Sequence, residues 1–238
     1  MDDLNIEELQ MKLKISDAAT RLYVEKGESF TLHDVAKRAS VTVADIFKYF
    51  PDKQAIIYFF YTSLIIRYRL MIEEIEDFET FTLSEKLSNF AYASFDLMQE
   101  REEFVEQTFC HYILRSCKQT EYEQKIDKLL SDFIKNDSGR AASSDAIIND
   151  CSLRLIRKKY LLLVNFWLND ESEGKELTME LTDKVTGLIQ EALYTSVIDR
   201  SFDLAKFLFS NDILTKNNPV WNKLTSTFEI RWIKVLEN

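Results

Sequence analysis

The sequence contains few of the residues that interrupt or end regular secondary structure. Only four glycines and two prolines occur among its 238 residues. An all-β fold needs many tight turns, and those turns depend on these two residue types. The phosphate-binding loops GxGxxG and GxxxxGK[ST] also need closely spaced glycines, and neither pattern occurs. The composition therefore predicts helices and excludes nucleotide binding through a glycine-rich loop.

Histidine and cysteine are scarce as well. His33 and His111 lie far apart in the sequence, and Cys110, Cys117 and Cys151 form no CxxC pair. Metal sites and disulfide frameworks need such residues at short, regular spacings. No nucleophile-elbow motif occurs, and no acid and base are paired with supporting partners. We therefore expect no metal, no cofactor and no enzymatic activity, in an intracellular chain whose thiols are reduced.

The chain has no segment typical of export or of a membrane span. Residues 1–10 are acidic and lack the apolar core of a signal peptide. Residues 54–66 carry no charge, but a span needs about 20 apolar residues, and Arg67 and Arg69 follow at once. We expect a cytoplasmic protein without a membrane partner, in which this stretch is a buried helix that links two parts of the fold.

The net charge of −10 is distributed unevenly along the chain. Residues 12–55 carry eight basic and six acidic side chains, an excess of +2. Residues 56–238 carry an excess of −8, and residues 1–11 add four acids. Since phosphate backbones attract basic surfaces, only residues 12–55 suit a nucleic acid, and a dimer would be needed to combine two weakly basic patches.

Apolar residues recur at helical spacing through most of the chain, which predicts an all-α fold. The predicted helices cover residues 5–26, 32–39, 43–50, 53–76, 82–99, 102–117, 121–135, 145–168, 178–199, 201–210 and 219–236. Residues 136–144 and 169–177 are the clearest loops.

The most specific pattern is the pair of short helices between residues 31 and 53. Thr31 with Asp34, and Thr42 with Asp45, each fit a capping box at a helix start. Pro51 ends the second helix because it cannot continue one, and Asp52 can cap the next. Two short helices joined by a tight turn and followed by a stop are typical of a DNA-binding helix-turn-helix.

The stretch from residue 12 to about residue 56 resembles the N-terminal DNA-binding domain of TetR-family transcriptional regulators. Every anchor of the family pattern has its expected spacing. The matching residues are Gly27, Thr31, Asp34-Val35-Ala36, Ala39-Ser40-Val41, Phe47, Lys48-Tyr49-Phe50 and Lys53. Residues 166–185 and 202–208 resemble, less specifically, the C-terminal domains of some bacterial members.

This resemblance implies a set of DNA contacts. The residues expected to face DNA are Thr42, Val43, Ala44, Phe47, Lys48 and Tyr49, with Thr31 and Lys53 at phosphates. Val43 and Ala44 offer only thymine-methyl contacts. Asp45 is either a cap or an acceptor for cytosine. Phe47 stands where many members carry a phosphate-contacting tyrosine, so that hydroxyl contact is lost.

The resemblance also implies the rest of the architecture and the function. A helix-turn-helix domain (residues 1–55) would precede a helical ligand-binding and dimerisation domain (56–238). The expected protein is a ligand-responsive regulator, usually a repressor in this family, that acts as a homodimer on a palindromic operator. Residues 145–168 and 178–199 would pair with their copies in a four-helix interface.

An apolar or amphipathic effector is expected between the middle helices. The candidate ligand-binding residues are Phe95, Met98, Phe109, His111, Tyr112, Tyr160 and Trp167. The sequence places His111 within the core, either as a satisfied core donor or as a partner for a ligand head group. The alternative function is a helical binder of apolar ligands or lipids with weak or lost DNA binding, since the basic excess is small.

Overall fold

The computed structural model describes residues 6–116, 118–137, 139 and 150–194, apart from the side chain of Cys151. These residues form nine α-helices and no strand. The helices are α1 (Ile6–Lys26), α2 (Leu32–Ala39), α3 (Val43–Tyr49), α4 (Lys53–Glu73), α5 (Leu83–Gln99), α6 (Glu102–Phe109), α7 (Glu121–Lys135), α8 (Asp150–Leu168) and α9 (Glu176–Tyr194). The all-α prediction is confirmed.

The N-terminal helices end where the sequence predicts, because the local chemistry is sufficient there. α1 ends at Gly27, whose φ of +58° is readily accessible only to glycine. Asp52 caps α4 by accepting a hydrogen bond from the Ala55 amide at 2.8 Å. α1, α2 and α3 together form the three-helix unit that was predicted.

α4 is the central helix of the described fold. It packs against α1 on one side and against α5 and α7 on the others. Its Tyr61 is fully buried and hydrogen-bonds Thr108 at 2.6 Å. By length and hydropathy alone α4 is apolar enough to cross a membrane, but half of its most apolar window is buried within the protein. This burial agrees with a core helix that connects two parts of the fold.

Three predicted boundaries differ from the structure by two residues or more. α4 stops at Glu73 rather than residue 76. The helix predicted for residues 102–117 is α-helical only to Phe109 and continues as a π-helical turn, Cys110–Leu114. α9 begins at Glu176, inside the predicted loop, because Asp170 accepts from the Thr178 amide at 2.8 Å. The predicted helices at 201–210 and 219–236, the start of the one at 145–168 and the end of the one at 178–199 lie outside the described residues.

The described residues belong to two compact units. Residues 6–137 and 150–190 form the first, which contains the helix-turn-helix and most of the bundle. Gly139 and residues 191–194 belong to the second. The predicted boundary between residues 55 and 56 stays a prediction.

Candidate nucleic-acid interface

Two capping boxes position the short helices of the helix-turn-helix. At α2, the Thr31 hydroxyl accepts from the Asp34 amide at 3.2 Å, and the Asp34 carboxylate accepts from the Thr31 amide at 2.9 Å. At α3, Thr42 and Asp45 repeat the arrangement at 3.0 and 3.1 Å. Each box satisfies amides that would otherwise be free at the helix start. The predicted boxes are therefore present in the fold.

A left-handed residue makes the sharp turn between α2 and α3. Ser40 has φ +51° and ψ +49°, and its amide donates to the carbonyls of Ala36 and Lys37. The Val41 amide donates to the Ala36 carbonyl at 3.0 Å. These bonds satisfy the last carbonyls of α2 and let α3 begin three residues after Ser40. α3 is thus presented as a separate recognition helix.

The capping carboxylates are held in their charged form. Hydrogen bonds from the backbone amide of Thr31, from Lys26 and from the Thr31 hydroxyl lower the pKa of Asp34 to about 2. The Lys48 amine and the Thr42 hydroxyl and amide lower the pKa of Asp45 to about 2. An aspartate in an unfolded chain has a pKa of about 3.9. Both carboxylates therefore stabilise the folded state while they are ionised.

The contribution of the Asp45 carboxylate to the stability of the fold should disappear as the pH falls. Because the pKa of Asp45 is lowered on folding, its contribution is complete above the unfolded pKa and is lost as the pH falls from about 4 to about 2. Asp45→Asn should therefore lower Tm at about pH 6. The difference in Tm between this variant and the wild type should shrink below about pH 4. Thermal unfolding followed by circular dichroism measures this. Asp96→Asn, at an exposed position within α5, is the control. If the Tm difference between Asp45→Asn and the wild type is unchanged at about pH 2.5, the ionised carboxylate of Asp45 does not stabilise the fold.

The exposed face of the recognition helix combines apolar and polar side chains. Phe47 is 55% exposed, and Thr42, Ala44 and Lys48 are also exposed, whereas Val43 and Tyr49 are half-buried. Aromatic and methyl groups contact thymine methyls in the major groove. Asp45 lies in the capping box and beside Lys48, so its capping role is the one supported by the geometry.

Most basic side chains of this unit are already paired with acids. The Arg38 guanidinium binds Glu25 through two hydrogen bonds of 2.7 and 2.8 Å. The other pairs are Lys12–Glu8, Arg21–Asp17, Lys26–Asp34 and Lys48–Asp45. Lys14 and Lys37 are exposed and have no ion pair in the described part of the chain. Counting charges in the sequence did not reveal this pairing, and Lys37, on α2, is a phosphate-contact candidate that sequence reasoning missed.

Lys53 already makes hydrogen bonds within the fold. Its amine donates to the backbone carbonyls of Glu28 and Phe30, the latter at 3.4 Å, and lies 4.8 Å from the centre of the Phe30 ring. The phosphate contact predicted for Lys53 would have to compete with these bonds. Thr31 is exposed at the start of α2, and its hydroxyl is part of the capping box.

Most of the predicted ligand-binding residues are tightly packed core residues. Phe95, Met98, Phe109 and Trp167 are at most 1% exposed, and the buried Tyr160 hydrogen-bonds Tyr122 at 2.9 Å. Burial raises the pKa of Tyr160 to about 12. Phe95 and Trp167 stack with ring centres 5.6 Å apart and also line a pocket of about 410 Å³ beside residues 170–175. The structure thus brings these two residues together at a surface opening.

His111 and Tyr112 differ from their neighbours in this set. The expectation that His111 lies within the core is wrong, because its side chain is exposed on the π-helical turn. A π-helical turn shifts the register of successive side chains, so helical periodicity mispredicted this position. Tyr112 is buried instead, and its hydroxyl donates to a Glu28 carboxylate oxygen at 3.1 Å. Burial and that carboxylate raise the pKa of Tyr112.

No group of three or more potential metal ligands occurs within the part of the chain that the structure describes. Its buried polar side chains are mainly hydroxyls, together with Asp137 and two paired cations, Lys86 and Arg157. Lys86 donates to the Glu79 carbonyl at 3.1 Å. Arg157 bonds Asp127 and lies 3.4 Å from Glu123, which joins α8 to α7. These contacts are explained by packing.

Comparisons with known proteins agree with this geometry. A family model described as "Bacterial regulatory proteins, tetR family" matches residues 15–57, which contain the helix-turn-helix. A second, described as "Tetracyclin repressor-like, C-terminal domain", matches residues 86–208, more than half of the chain. A search of curated proteins found no match.

Solved structures share the fold. A TetR transcriptional regulator from Nitrosomonas europaea has a TM-score of 0.58 at 19% identity, over 75% of this chain and 96% of that one. One from Rhodococcus sp. RHA1 has a TM-score of 0.54 at 16% identity, over 76% and 96%. A tetR-family regulator from Streptomyces coelicolor has a TM-score of 0.51 at 13% identity, over 93% and 97%. At these identities the similarity shows the fold alone.

The two family matches, the helix-turn-helix and the all-α bundle lead to one assignment. Members of the matched family are non-enzymatic DNA-binding regulators. The chain belongs to the TetR family of bacterial regulatory proteins and is a DNA-binding transcriptional regulator rather than an enzyme.

Proposed function

We propose that the protein is a cytoplasmic, ligand-responsive repressor that acts as a homodimer on a palindromic operator. The observation that carries this proposal is an exposed apolar surface on α8 and α9, here called the α8–α9 face. Its members are Leu155, Leu162, Phe166, Leu177 and Leu188, which are 39–67% exposed. Between the two helices lies a groove of about 550 Å³, lined by Leu162, Leu163, Phe166, Leu181 and Val185 among others.

The α8–α9 face supports dimerisation because large apolar side chains clustered on a surface mark an interaction site. A twofold dimer presents the same surface from both protomers, so α8 and α9 would form a four-helix interface with their copies. Such a dimer would present two copies of α3 to DNA. Recognition helices that bind half-sites one duplex turn apart are about 34–36 Å apart. The operator would then carry the same twofold symmetry.

Contacts between the bundle and the DNA-binding unit support a ligand response. Tyr112, one of the predicted effector residues, bonds Glu28 in the turn before α2. The Glu28 carbonyl in turn accepts from Lys53, the first residue of α4. An effector near Tyr112 would shift the DNA-binding unit only through different affinities for two arrangements of these contacts. The proposed effector region comprises Phe95, Met98, Phe109, Tyr112, Tyr160 and Trp167, with His111 at the surface.

The competing function is a helical binder of apolar ligands whose DNA binding is weak. The extensive ion pairing of basic residues around α2 and α3 favours it, because paired cations attract phosphates less strongly. The unpaired Lys37 provides the discriminating measurement, since the first helix of this motif crosses the DNA backbone.

A salt titration of DNA binding tests the two functions. Fluorescence anisotropy would use the DNA upstream of the protein's own gene at several salt concentrations. Lys37→Gln should weaken binding to all sequences alike and reduce the slope of log K against log salt by about 0.9 per protomer. Lys128→Gln, an exposed lysine on α7, should leave that slope unchanged. Absence of binding at low salt by folded, dimeric protein would exclude the operator-binding function.

A further inference from the structure

A cavity of about 680 Å³ lies where the DNA-binding unit meets the bundle. We call it the junction cavity. It is bounded by the start of α1, the end of α3, the first half of α4 and the start of α7. Its lining residues are Glu8, Leu9, Lys12, Tyr49, Phe50, Pro51, Ala55, Tyr58, Phe59, Ile66, Ser116, Lys118, Gln119, Thr120, Glu121 and Lys125. Its volume lies within the range of small-molecule sites, about 300–1,000 Å³.

One wall of the junction cavity is apolar and well supported. Phe50 is 4% exposed and packs edge-on against Phe59 with ring centres 5.4 Å apart. Tyr58 packs in the same way against Tyr112 at 5.5 Å. These contacts fix the rings that face the cavity, and the small side chain of Ala55 leaves space beside them. The wall can therefore accept an alkyl or aryl group without rearrangement.

Beyond the apolar wall, the cavity is lined by charges of both signs. Three lysines line it against two glutamates, and Lys12 is neutralised by Glu8 at 2.6 Å. Lys125 is 3.5 Å from Glu121, whereas Lys118 is exposed and has no ion pair in the described part of the chain. α7 begins beside the cavity at Glu121, and its first turn already carries the carboxylates of Glu121 and Glu123, the latter in a capping box with Thr120, so the helix dipole is compensated there. Lys118 is therefore the one lining cation that is available to an anionic head group in the described part of the chain.

We propose that the junction cavity binds an amphipathic carboxylate. Its apolar body lies against Tyr58 and Phe59, and its carboxylate lies near Lys118. This site is separate from the predicted effector residues of the bundle, none of which lines the cavity. Binding does not depend on the proposed repressor function, although any regulatory effect of binding does.

The position of the site gives a ligand direct contact with the recognition helix. Tyr49 is the last residue of α3, and Phe50 caps it. The Phe50 amide donates to the carbonyl of Ile46, in the middle of α3, at 2.9 Å. A ligand seated on Tyr49 and Phe50 therefore biases the orientation of α3 relative to α4 and α7.

Titration calorimetry of the full-length protein with decanoate tests the site without DNA. Decanoate should bind more tightly than decanol, and the difference should shrink as salt is added. Lys118→Gln should weaken decanoate binding by about three- to fivefold and leave decanol binding unchanged. Ala55→Phe, which fills the cavity, should weaken both ligands by at least about tenfold. Lys128→Gln, on the same helix but outside the cavity, is the matched control.

The outcomes separate this site from the proposed function. Equal binding of decanoate to the wild type, Lys118→Gln and a folded Ala55→Phe would overturn the proposal by assigning the ligand to another place. Absence of decanoate binding would overturn it as well. Specific binding together with unchanged DNA affinity would keep the site and reject its regulatory effect. Because Lys118 is exposed, its substitution tests the site even if Ala55→Phe fails to fold.

Discussion

Leu162→Glu should convert the proposed dimer into monomers and reduce operator affinity. Leu162 is 55% exposed in the single chain and lines the groove on the α8–α9 face. In a twofold dimer two glutamates would be buried without partners, and one unpaired buried charge costs about 3–5 kcal/mol. The dimer dissociation constant should therefore rise by at least about a hundredfold. Sedimentation velocity measures the association state, and anisotropy with the upstream DNA measures the loss of affinity.

The control for this substitution is another exposed leucine. Leu70 on α4 is 43% exposed and lies outside α8 and α9, so Leu70→Glu should leave both the dimer and the DNA affinity unchanged. If Leu162→Glu remains dimeric at the same protein concentration, the α8–α9 face is not the dimer interface. A dimer that persists with lost DNA binding would instead point to a folding defect, which circular dichroism would detect.

Trp167→Ala should destabilise the fold more than any other single truncation proposed for this chain. The indole is 1% exposed, stacks on Phe95 with an angle of 6° between the rings, and lies 4.6 Å below the Lys175 amine. Removing a buried tryptophan costs about 3–5 kcal/mol through lost burial and the cavity left behind. At about 2–4 °C per kcal/mol for a chain of this size, Tm should fall by about 6–20 °C. Thermal unfolding by circular dichroism or calorimetry measures the shift.

Two comparisons make the tryptophan result interpretable. Phe47→Ala removes an aromatic ring that is 55% exposed, so the free energy of unfolding should change by no more than about 0.5 kcal/mol. Indole added to Trp167→Ala should recover part of the lost Tm, since an apolar cavity can bind an apolar guest. A Tm change below about 2 °C for Trp167→Ala would show that its ring is not part of the core.

The DNA-binding unit was predictable because its geometry depends on bonds between near neighbours. Each capping box joins residues three apart, Gly27 supplies a positive φ at the end of α1, and Asp52 caps α4. Such contacts are encoded in a few adjacent letters and hold in almost any tertiary setting. The start of α9 was predictable only in part. Asp170 is present in the sequence, but its carboxylate accepts from the Thr178 amide only because of the path of the turn between them.

Features that depend on distant residues were not predictable. The exposure of His111 follows from a π-helical turn, and the loss of free charge around α3 follows from pairs such as Arg38–Glu25, 13 residues apart. The junction cavity combines residues from 8 to 125, and no local pattern marks it. The sequence predicted the two helices that carry the α8–α9 face and indicated that each has more than one apolar side. Only the packing of the helices shows which of these sides is exposed.

By itself, the sequence determined the class of the fold and the helix-turn-helix, because scarce glycine and proline, helical periodicity and capping boxes act over one or two turns of helix. The family followed from the resemblance of residues 12–56 to TetR-family regulators. Only the tertiary structure decided which cations remain available to DNA, which aromatic residues are core and where a ligand has space. Those properties are set by side chains brought together from opposite ends of the chain, and their pairing and burial exist only once the helices have packed.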